Sequence, residues 1–165
     1  MKDSIKSLMP WILMVFSALM GMVAFFLIFA PSVVYDVVVF GENTFKGLNV
    51  TLGYTVNRTN IIFYASAGMI LAYVLPLLAA AVAVVGREKL ITRIISTALF
   101  FTGGALSFAA TALVNPGFNG TATLGLGSIF SGITAMLGGI AECVTCLPIF
   151  PKMSDDEEVK AEPAA

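Results

Sequence analysis

Histidine is absent from this chain of 165 residues, and only two cysteines occur, Cys143 and Cys146. The lack of histidine removes the commonest general base and a favoured metal ligand. Two cysteines so close together cannot form a disulfide framework across the chain. The sequence also shows no paired carboxylates and no nucleophile–base pair. We therefore expect a protein that is not an enzyme and that has no cofactor or bound metal.

Charge is scarce as well. Charged residues make up 12% of the chain, hydrophobic residues make up 58%, and the mean hydropathy is +0.94. Soluble domains have about a quarter charged residues and about half apolar residues. The net charge of −1 offers no basic field for nucleic acid, so nucleic acid is not an expected partner. The composition indicates one domain in contact with the lipid bilayer.

Four long apolar runs follow one another along the chain. A membrane-spanning helix needs about 20 apolar residues, and lipid provides no partners for open backbone groups. We therefore predict an all-α membrane protein with a four-helix transmembrane bundle in residues 1–150. The predicted spans are residues 8–30, 61–86, 90–114 and 124–147.

The first run also resembles a signal peptide, since Lys2 and Lys6 precede it. Its apolar stretch is too long for that, and Pro31 would directly follow the cleavage site. We therefore expect a retained helix.

The positive charges predict the orientation. Seven lysines and arginines fall in the N-terminal segment, around the turn between the second and third runs and in the C-terminal tail, against two in the long first loop. Positive residues concentrate in cytoplasmic loops. The expected location is therefore the cell membrane, as a multi-pass protein with both termini cytoplasmic.

The first outer loop, residues 31–60, has the composition of a β-hairpin. Residues 33–40 are rich in β-branched side chains, Gly41-Glu42-Asn43 suits a turn, and residues 44–56 alternate in polarity. The sheet either caps the bundle or offers an edge to another strand. The residues that we expect on the contact face are Phe45, Leu48, Leu52 and Tyr54.

Three N-x-T sequons begin at Asn49, Asn57 and Asn119, all in the outer loops. In a eukaryotic secretory pathway such asparagines are possible glycosylation sites. The alternative is that polar, strand-rich loops simply contain many Asn and Thr residues.

Glu142 is the only acid within the four runs, and it lies near the predicted inner end of the fourth. One interpretation is an interfacial acid that reaches water, Arg87 or Arg93. The other is an inner gate or a contact with a partner. The neighbouring Cys143-Val-Thr-Cys146 sits at the wrong end of a helix for redox chemistry, so packing or interfacial thiols are expected.

Small residues spaced by four occur in the third and fourth runs, and such stripes let helices approach closely in lipid. They include Gly103 and Ser107, and Ser131, Ala135 and Gly139. We expect them to pack within one chain. The acidic tail, residues 151–165, should be disordered. It is either a solvated terminus or a docking segment for a cytoplasmic partner.

This layout of four spans, internal termini and a long β-rich first loop resembles claudin-type tetraspan proteins. In the first loop, only Gly47-Leu48 matches their signature, because that loop has neither the tryptophans nor the two cysteines of the family. Paracellular sealing and ion selectivity therefore do not carry over. The segment Phe45-Lys-Gly-Leu48 is also similar to small bacterial four-span proteins of unassigned function.

Two functions fit these features. The first is a non-enzymatic interaction or structural protein, which is an accessory subunit of a membrane assembly or associates with itself. The alternative is a small channel or transporter subunit, in which Pro76 and the glycines of the later spans break helices around a site.

Overall fold

The computed structural model describes residues 2–37, 41–56, 60–86, 89–117 and 119–147. Four long helices dominate it: α1 Lys2–Phe26, α3 Ala67–Val85, α4 Leu90–Phe108 and α6 Leu126–Thr145. Two short helices are α2 Gly47–Leu52 and α5 Ala110–Leu113, and a 3-10 turn, Leu27–Phe29, extends α1. The strands are β1 Pro31–Val37, β2 Gly41–Lys46, β3 Tyr54–Val56, β4 Asn60–Tyr64, β5 Asn115–Pro116 and β6 Gly120–Leu124.

The long helices form a square bundle. Helices α1 and α4 each pack against both α3 and α6, so helices that follow one another in the chain are antiparallel neighbours. All four are long and apolar enough to cross a membrane, which confirms the four predicted apolar helices. We call the end that carries the strands the sheet end, and the opposite end, with the α3–α4 turn, the turn end.

Polarity in the bundle is the reverse of that in a soluble protein. The buried polar side chains include Ser17, Ser96, Ser107 and Ser131, together with Glu142. The outer surface of the helices instead carries large apolar side chains, among which are Leu8, Ile12, Val15, Leu19, Leu71, Leu78, Ile91, Ile94, Phe130 and Ile140. Exposed apolar area on this scale marks a surface that contacts lipid or protein.

One large side chain fills the centre of the bundle. Phe100 of α4 is fully buried in a cluster with Ala24, Ala79, Ala80 and Ala135 from the other three helices. A Cβ added at Gly138 would lie only 2.8 Å from Phe100 Cε1. The small residues of α1, α3 and α6 therefore make room for a single ring.

Pro76 lies inside α3, which continues through it without a break. Because proline has no N–H, the carbonyl of Ala72 one turn earlier loses its helical donor. The hydroxyl of Ser107 donates to this carbonyl at 3.5 Å. The pyrrolidine ring packs where Gly103 leaves space, since a Cβ there would lie 2.6 Å from Pro76 Cδ.

Two three-stranded sheets cover the sheet end. Their strand orders are β2-β1-β6 and β3-β4-β5, and all neighbouring strands are antiparallel. The first loop supplies β1 to β4, and the segment between α4 and α6 supplies β5 and β6. The second loop thus adds one strand to each sheet and ties the two sheets together.

Aromatic side chains form the core beneath the sheets. Phe63 lies edge-on to Tyr35 at 5.3 Å and to Phe45 at 4.9 Å between ring centroids. Met69 and Tyr73 of α3 join this core and fasten the sheets to the bundle. Burial raises the pKa of the Tyr35 phenol, because the charged form would lose its hydration.

The predicted hairpin is correct in that β1 and β2 pair antiparallel, but its turn is wrong, because Gly41, Glu42 and Asn43 belong to strand β2 and pair with residues of β1. The prediction of a strand beyond residue 46 is also wrong. Residues 47–52 form helix α2 rather than a continuation of an alternating strand. Gly53, at φ 90°, then lets the chain turn into β3. The pattern misled because its apolar positions also suit one helical turn, with Gly47, Val50 and Thr51 buried.

The predicted ends of two spans also shift. The second helix begins at Ala67, not at residue 61, because residues 60–64 pair as strand β4. Ser66 caps the helix by accepting a hydrogen bond from the Met69 amide. The third helix ends at Phe108, and the short α5 follows it.

Candidate functional site

The two edges of the sheet β2-β1-β6 differ in charge. Edge strand β2 exposes Glu42 and Lys46, and such charges discourage pairing with another strand. Edge strand β6, with the sequence Gly-Thr-Ala-Thr-Leu, exposes Thr121 and Thr123 and contains no charge or proline. Among the described strands, β6 pairs only with β1. The edge of β6 that faces away from β1 is therefore suited to pairing with a strand of another molecule.

The residues predicted for the contact face do not lie together at the surface. Phe45 is buried in the aromatic core, and Leu48 is half-buried against the same core. Leu52 is 63% exposed and Tyr54 is 36% exposed. These four residues do not share one face because helix α2 interrupts the predicted strand of residues 44–56. Only Leu52 and Tyr54 remain accessible for a contact.

The three sequons also differ in accessibility. Asn119 is exposed just before β6, whereas Asn49 is half-buried in α2. Thr51, the hydroxyl residue of the Asn49 sequon, is 3% exposed, and its hydroxyl has no hydrogen-bond partner. Asn57 lies outside the described residues, as does the predicted tail, residues 151–165. Asn119 is thus the accessible sequon in the described part of the chain.

At the turn end, Glu142 is 1% exposed and lies between α1 and α6. The Ser17 hydroxyl is 3.2 Å from its Oε1, and the Thr145 hydroxyl is 3.0 Å from its Oε2. Arg93 of α4 acts electrostatically on the carboxyl group, and its Nη1 donates to the Thr145 carbonyl at 2.9 Å. Glu142 is therefore an internal group that does not reach water. Of the two arginines expected as its partner, Arg93 acts on it, and Arg87 lies outside the described residues.

The two hydroxyls beside Glu142 each have a second acceptor. Ser17 Oγ is 3.0 Å from the Met14 carbonyl, and Thr145 Oγ1 is 2.7 Å from the Glu142 carbonyl. A hydroxyl carries one proton. Each hydroxyl can therefore donate its proton either to the carboxyl group or to the backbone carbonyl without moving its oxygen atom. This site tolerates a carboxylate, a protonated acid or an amide.

A second set of buried hydroxyls lies toward the sheet end. Ser131 donates to the Ala24 carbonyl at 3.1 Å and lies 3.4 Å from Ser107. Farther along, the hydroxyl of Tyr73 is 2.5 Å from that of Ser32 and 3.5 Å from that of Ser128. These contacts join all four long helices through polar groups.

Phe100 separates the two polar regions. Ser131 and Glu142 are eleven positions apart on α6, which is about 16 Å along a helix. Ala135, Gly138 and Gly139 occupy the inward positions between them, and the Phe100 ring packs on Gly138, while the Phe100 Cβ lies beside Gly139. The interior of the bundle therefore has buried polar groups toward both ends and an apolar layer around Phe100 in the middle.

The two cysteines lie at the end of α6. Cys143 is exposed and Cys146 is partly buried, and both are free thiols. Burial, followed by the nearby Glu142 carboxylate, raises the pKa of the Cys146 thiol. A raised pKa disfavours the reactive thiolate at neutral pH. The described residues contain no cluster of three or more His, Cys, Asp or Glu side chains that could hold a metal ion.

Sequence reasoning missed Ser17 and Thr145 as partners of Glu142, and it missed β6 as an edge strand. A signal for Ser17 was present, since Ser17, Gly21 and Ala24 place small residues at helical spacing on one face of α1. The short strand β6 has no comparable signal, because its pairing with β1 is a long-range contact.

Comparisons of this chain with protein-family models, with curated proteins and with solved structures found no match. Its function must therefore be inferred from its own residues.

Proposed function

We propose that this chain is a non-enzymatic interaction protein of the cell membrane, with both termini in the cytoplasm. It acts as an accessory subunit of a membrane assembly or associates with itself, and its sheet end carries the contact. The observation that carries this proposal is the difference between the two edges of the sheet β2-β1-β6. The edge of β2 is charged, whereas that of β6 is uncharged and has no further strand beside it among the described residues.

The surrounding structure supports this assignment. Helix α6 follows β6 directly after Gly125, whose amide donates to the Ser32 carbonyl at 2.8 Å. The strand is therefore held in place by both the sheet and the bundle. A preorganised edge loses little conformational entropy on pairing, which favours binding. Leu52 and Tyr54 are further exposed apolar side chains at the sheet end.

The test introduces on β6 the charges that β2 already has. We expect the double variant Thr121→Lys/Thr123→Lys to dissociate the native complex, as measured by native mass spectrometry after purification in mild detergent. The matched control is Thr44→Lys on the charged edge strand β2, which should leave the complex intact.

Four results would distinguish the models. A homo-oligomer lost in the double variant identifies a second copy as the partner, and a lost heterologous subunit identifies an accessory role. If the double variant keeps its complex while Leu52→Ser or Tyr54→Ser loses it, the contact lies outside the β6 edge. Wild-type protein that is monomeric and without a partner would contradict the proposal.

The alternative is a small channel or transporter subunit, and the buried polar groups favour it. The hydroxyls toward the sheet end and Glu142 toward the turn end flank Phe100 along the bundle axis. In this function Phe100 closes the path and Glu142 selects the solute. Intramembrane acids commonly mark such pathways.

Flux into proteoliposomes tests the alternative. We expect Phe100→Ala to raise proton or alkali-cation flux and Glu142→Gln to lower it, with circular dichroism showing that both variants fold. An interaction protein would show no flux in either variant, and its assembly would be unaffected by Glu142→Gln. The two functions therefore predict different consequences for the same substitution.

A further inference from the structure

A shallow groove lies between the end of α3 and the start of α4, at the turn end of the bundle. It encloses about 310 Å³ and is lined by Ala81, Val82, Val85, Gly86 and Thr92. The Thr92 hydroxyl has one proton and lies within hydrogen-bond distance of the carbonyl oxygens of both Gly86 and Lys89, so it adds no free polar group to the lining. The groove is thus apolar although it is open to the surroundings.

The neighbourhood of the groove is apolar on both sides. Val85 is 87% exposed, and Ile91 is 66% exposed at the beginning of α4. Both α3 and α4 are long and apolar enough to cross a membrane. An open groove at the membrane-facing surface of two such helices meets hydrocarbon rather than water. An acyl chain has the shape and the chemistry to occupy it.

The mouth of the groove is basic. Lys89 is exposed at the start of α4, directly after the turn that contains Gly86. Lys89 therefore brings a positive charge to this position, and the groove-lining residues include no acid. Basic residues at a membrane surface attract anionic headgroups. The charge at the mouth therefore complements a lipid phosphate.

We propose that this groove binds one acyl chain of an anionic phospholipid, whose phosphate lies at Lys89. The proposal is independent of the β6 contact, since the groove is at the opposite end of the bundle. An acyl chain that moves from the bilayer into an apolar groove gains little free energy, because both surroundings are apolar. The preference for one lipid over another therefore comes from the headgroup. About fivefold preference for an anionic over a zwitterionic lipid corresponds to one basic residue at the surface.

The test measures lipid retention by native mass spectrometry of the full chain in detergent. Phosphatidylglycerol and phosphatidylcholine with identical chains are added separately. Wild-type protein should retain one phosphatidylglycerol with the preference given above. Lys89→Gln should remove the preference and leave phosphatidylcholine binding unchanged. A preference that persists in this variant would overturn the headgroup assignment.

A second pair of variants tests the groove itself. Ala81→Trp should fill the groove and abolish specific retention, while Ala81→Leu, which adds less volume, should reduce it partly. The control is Leu71→Trp, which places the same ring on the exposed surface of α3 nearer the sheet end. Equal losses in Ala81→Trp and Leu71→Trp would show annular lipid only and would overturn the proposal.

Discussion

The two cores of this protein are built on opposite principles. The core at the sheet end consists of large side chains, including Tyr35, Phe45, Phe63 and Tyr73. The core of the bundle consists of alanines and glycines around the single ring of Phe100. Both are closely packed, but only the first has the composition of an ordinary hydrophobic core.

The difference reflects the surroundings of each core. Strands and loops at the sheet end lie beyond the long apolar helices, so large apolar side chains gain free energy there by leaving water. Helices already surrounded by hydrocarbon gain nothing comparable and associate through close contact and interhelical hydrogen bonds. The comparison teaches that burial drives the sheet end together, while shape and polar contacts organise the bundle.

The largest expected effect is at the sheet end. Phe63→Ala should lower the free energy of unfolding by about 3–5 kcal/mol, because it loses both the transfer free energy and the packing of a buried ring. Phe100→Ala should lower it less, because a side chain of a helix already surrounded by hydrocarbon gains little transfer free energy on burial, so that mainly its packing is lost. Denaturation in mixed SDS micelles measures both variants. A larger cost for Phe100→Ala would show that packing, not burial, dominates in both cores.

A smaller effect tests close approach in the bundle. A Cβ at Gly21 would lie 2.5 Å from the Pro76 carbonyl oxygen, which is backbone. Gly21→Ala should therefore push α1 and α3 apart and cost about 1–3 kcal/mol, as overpacking does. Gly68→Ala is the control, since its Cβ would meet only the Leu113 side chain, at 2.8 Å from Cδ2. Equal unfolding free energies for the two variants would contradict the close contact.

The smallest effect concerns the cysteines. The raised pKa of Cys146 means that its thiolate forms only at a higher pH than that of an ordinary thiol. Its alkylation by iodoacetamide should therefore be slow at neutral pH and accelerate under alkaline conditions. Exposed Cys143 should react first, and mass spectrometry of the peptides separates the two. Faster modification of Cys146 at neutral pH would contradict the burial of its thiol.

Much of the fold was predictable from the chain. Apolar runs of 20 or more residues, with very few charges, predicted the four helices, since their length and apolarity follow from the thickness of a bilayer. The pairing of β1 with β2 was also predictable, because the β-branched composition of the first strand is a local signal, but the turn expected at Gly41 was wrong, since Gly41 begins β2. The small residues of α4 and α6 indicated close packing correctly within the chain.

The site was less predictable. The pattern of residues 44–56 fits both a strand and a helix–strand combination, and only the aromatic core beneath decides which residues turn inward. Phe45, which was expected on the contact face, instead packs in that aromatic core. Glu142 was recognised as unusual, but its burial depends on Ser17, which is 125 residues away in the chain.

The sequence by itself determined that the chain has four helices able to cross a membrane and a strand-forming loop, because hydropathy and β-branched composition are local properties. Only the tertiary structure decided that β6 is an uncharged edge, that Phe100 separates two polar regions and that Glu142 is internal. Each of these depends on contacts between distant segments, and the free energy of such contacts belongs to no single stretch of sequence.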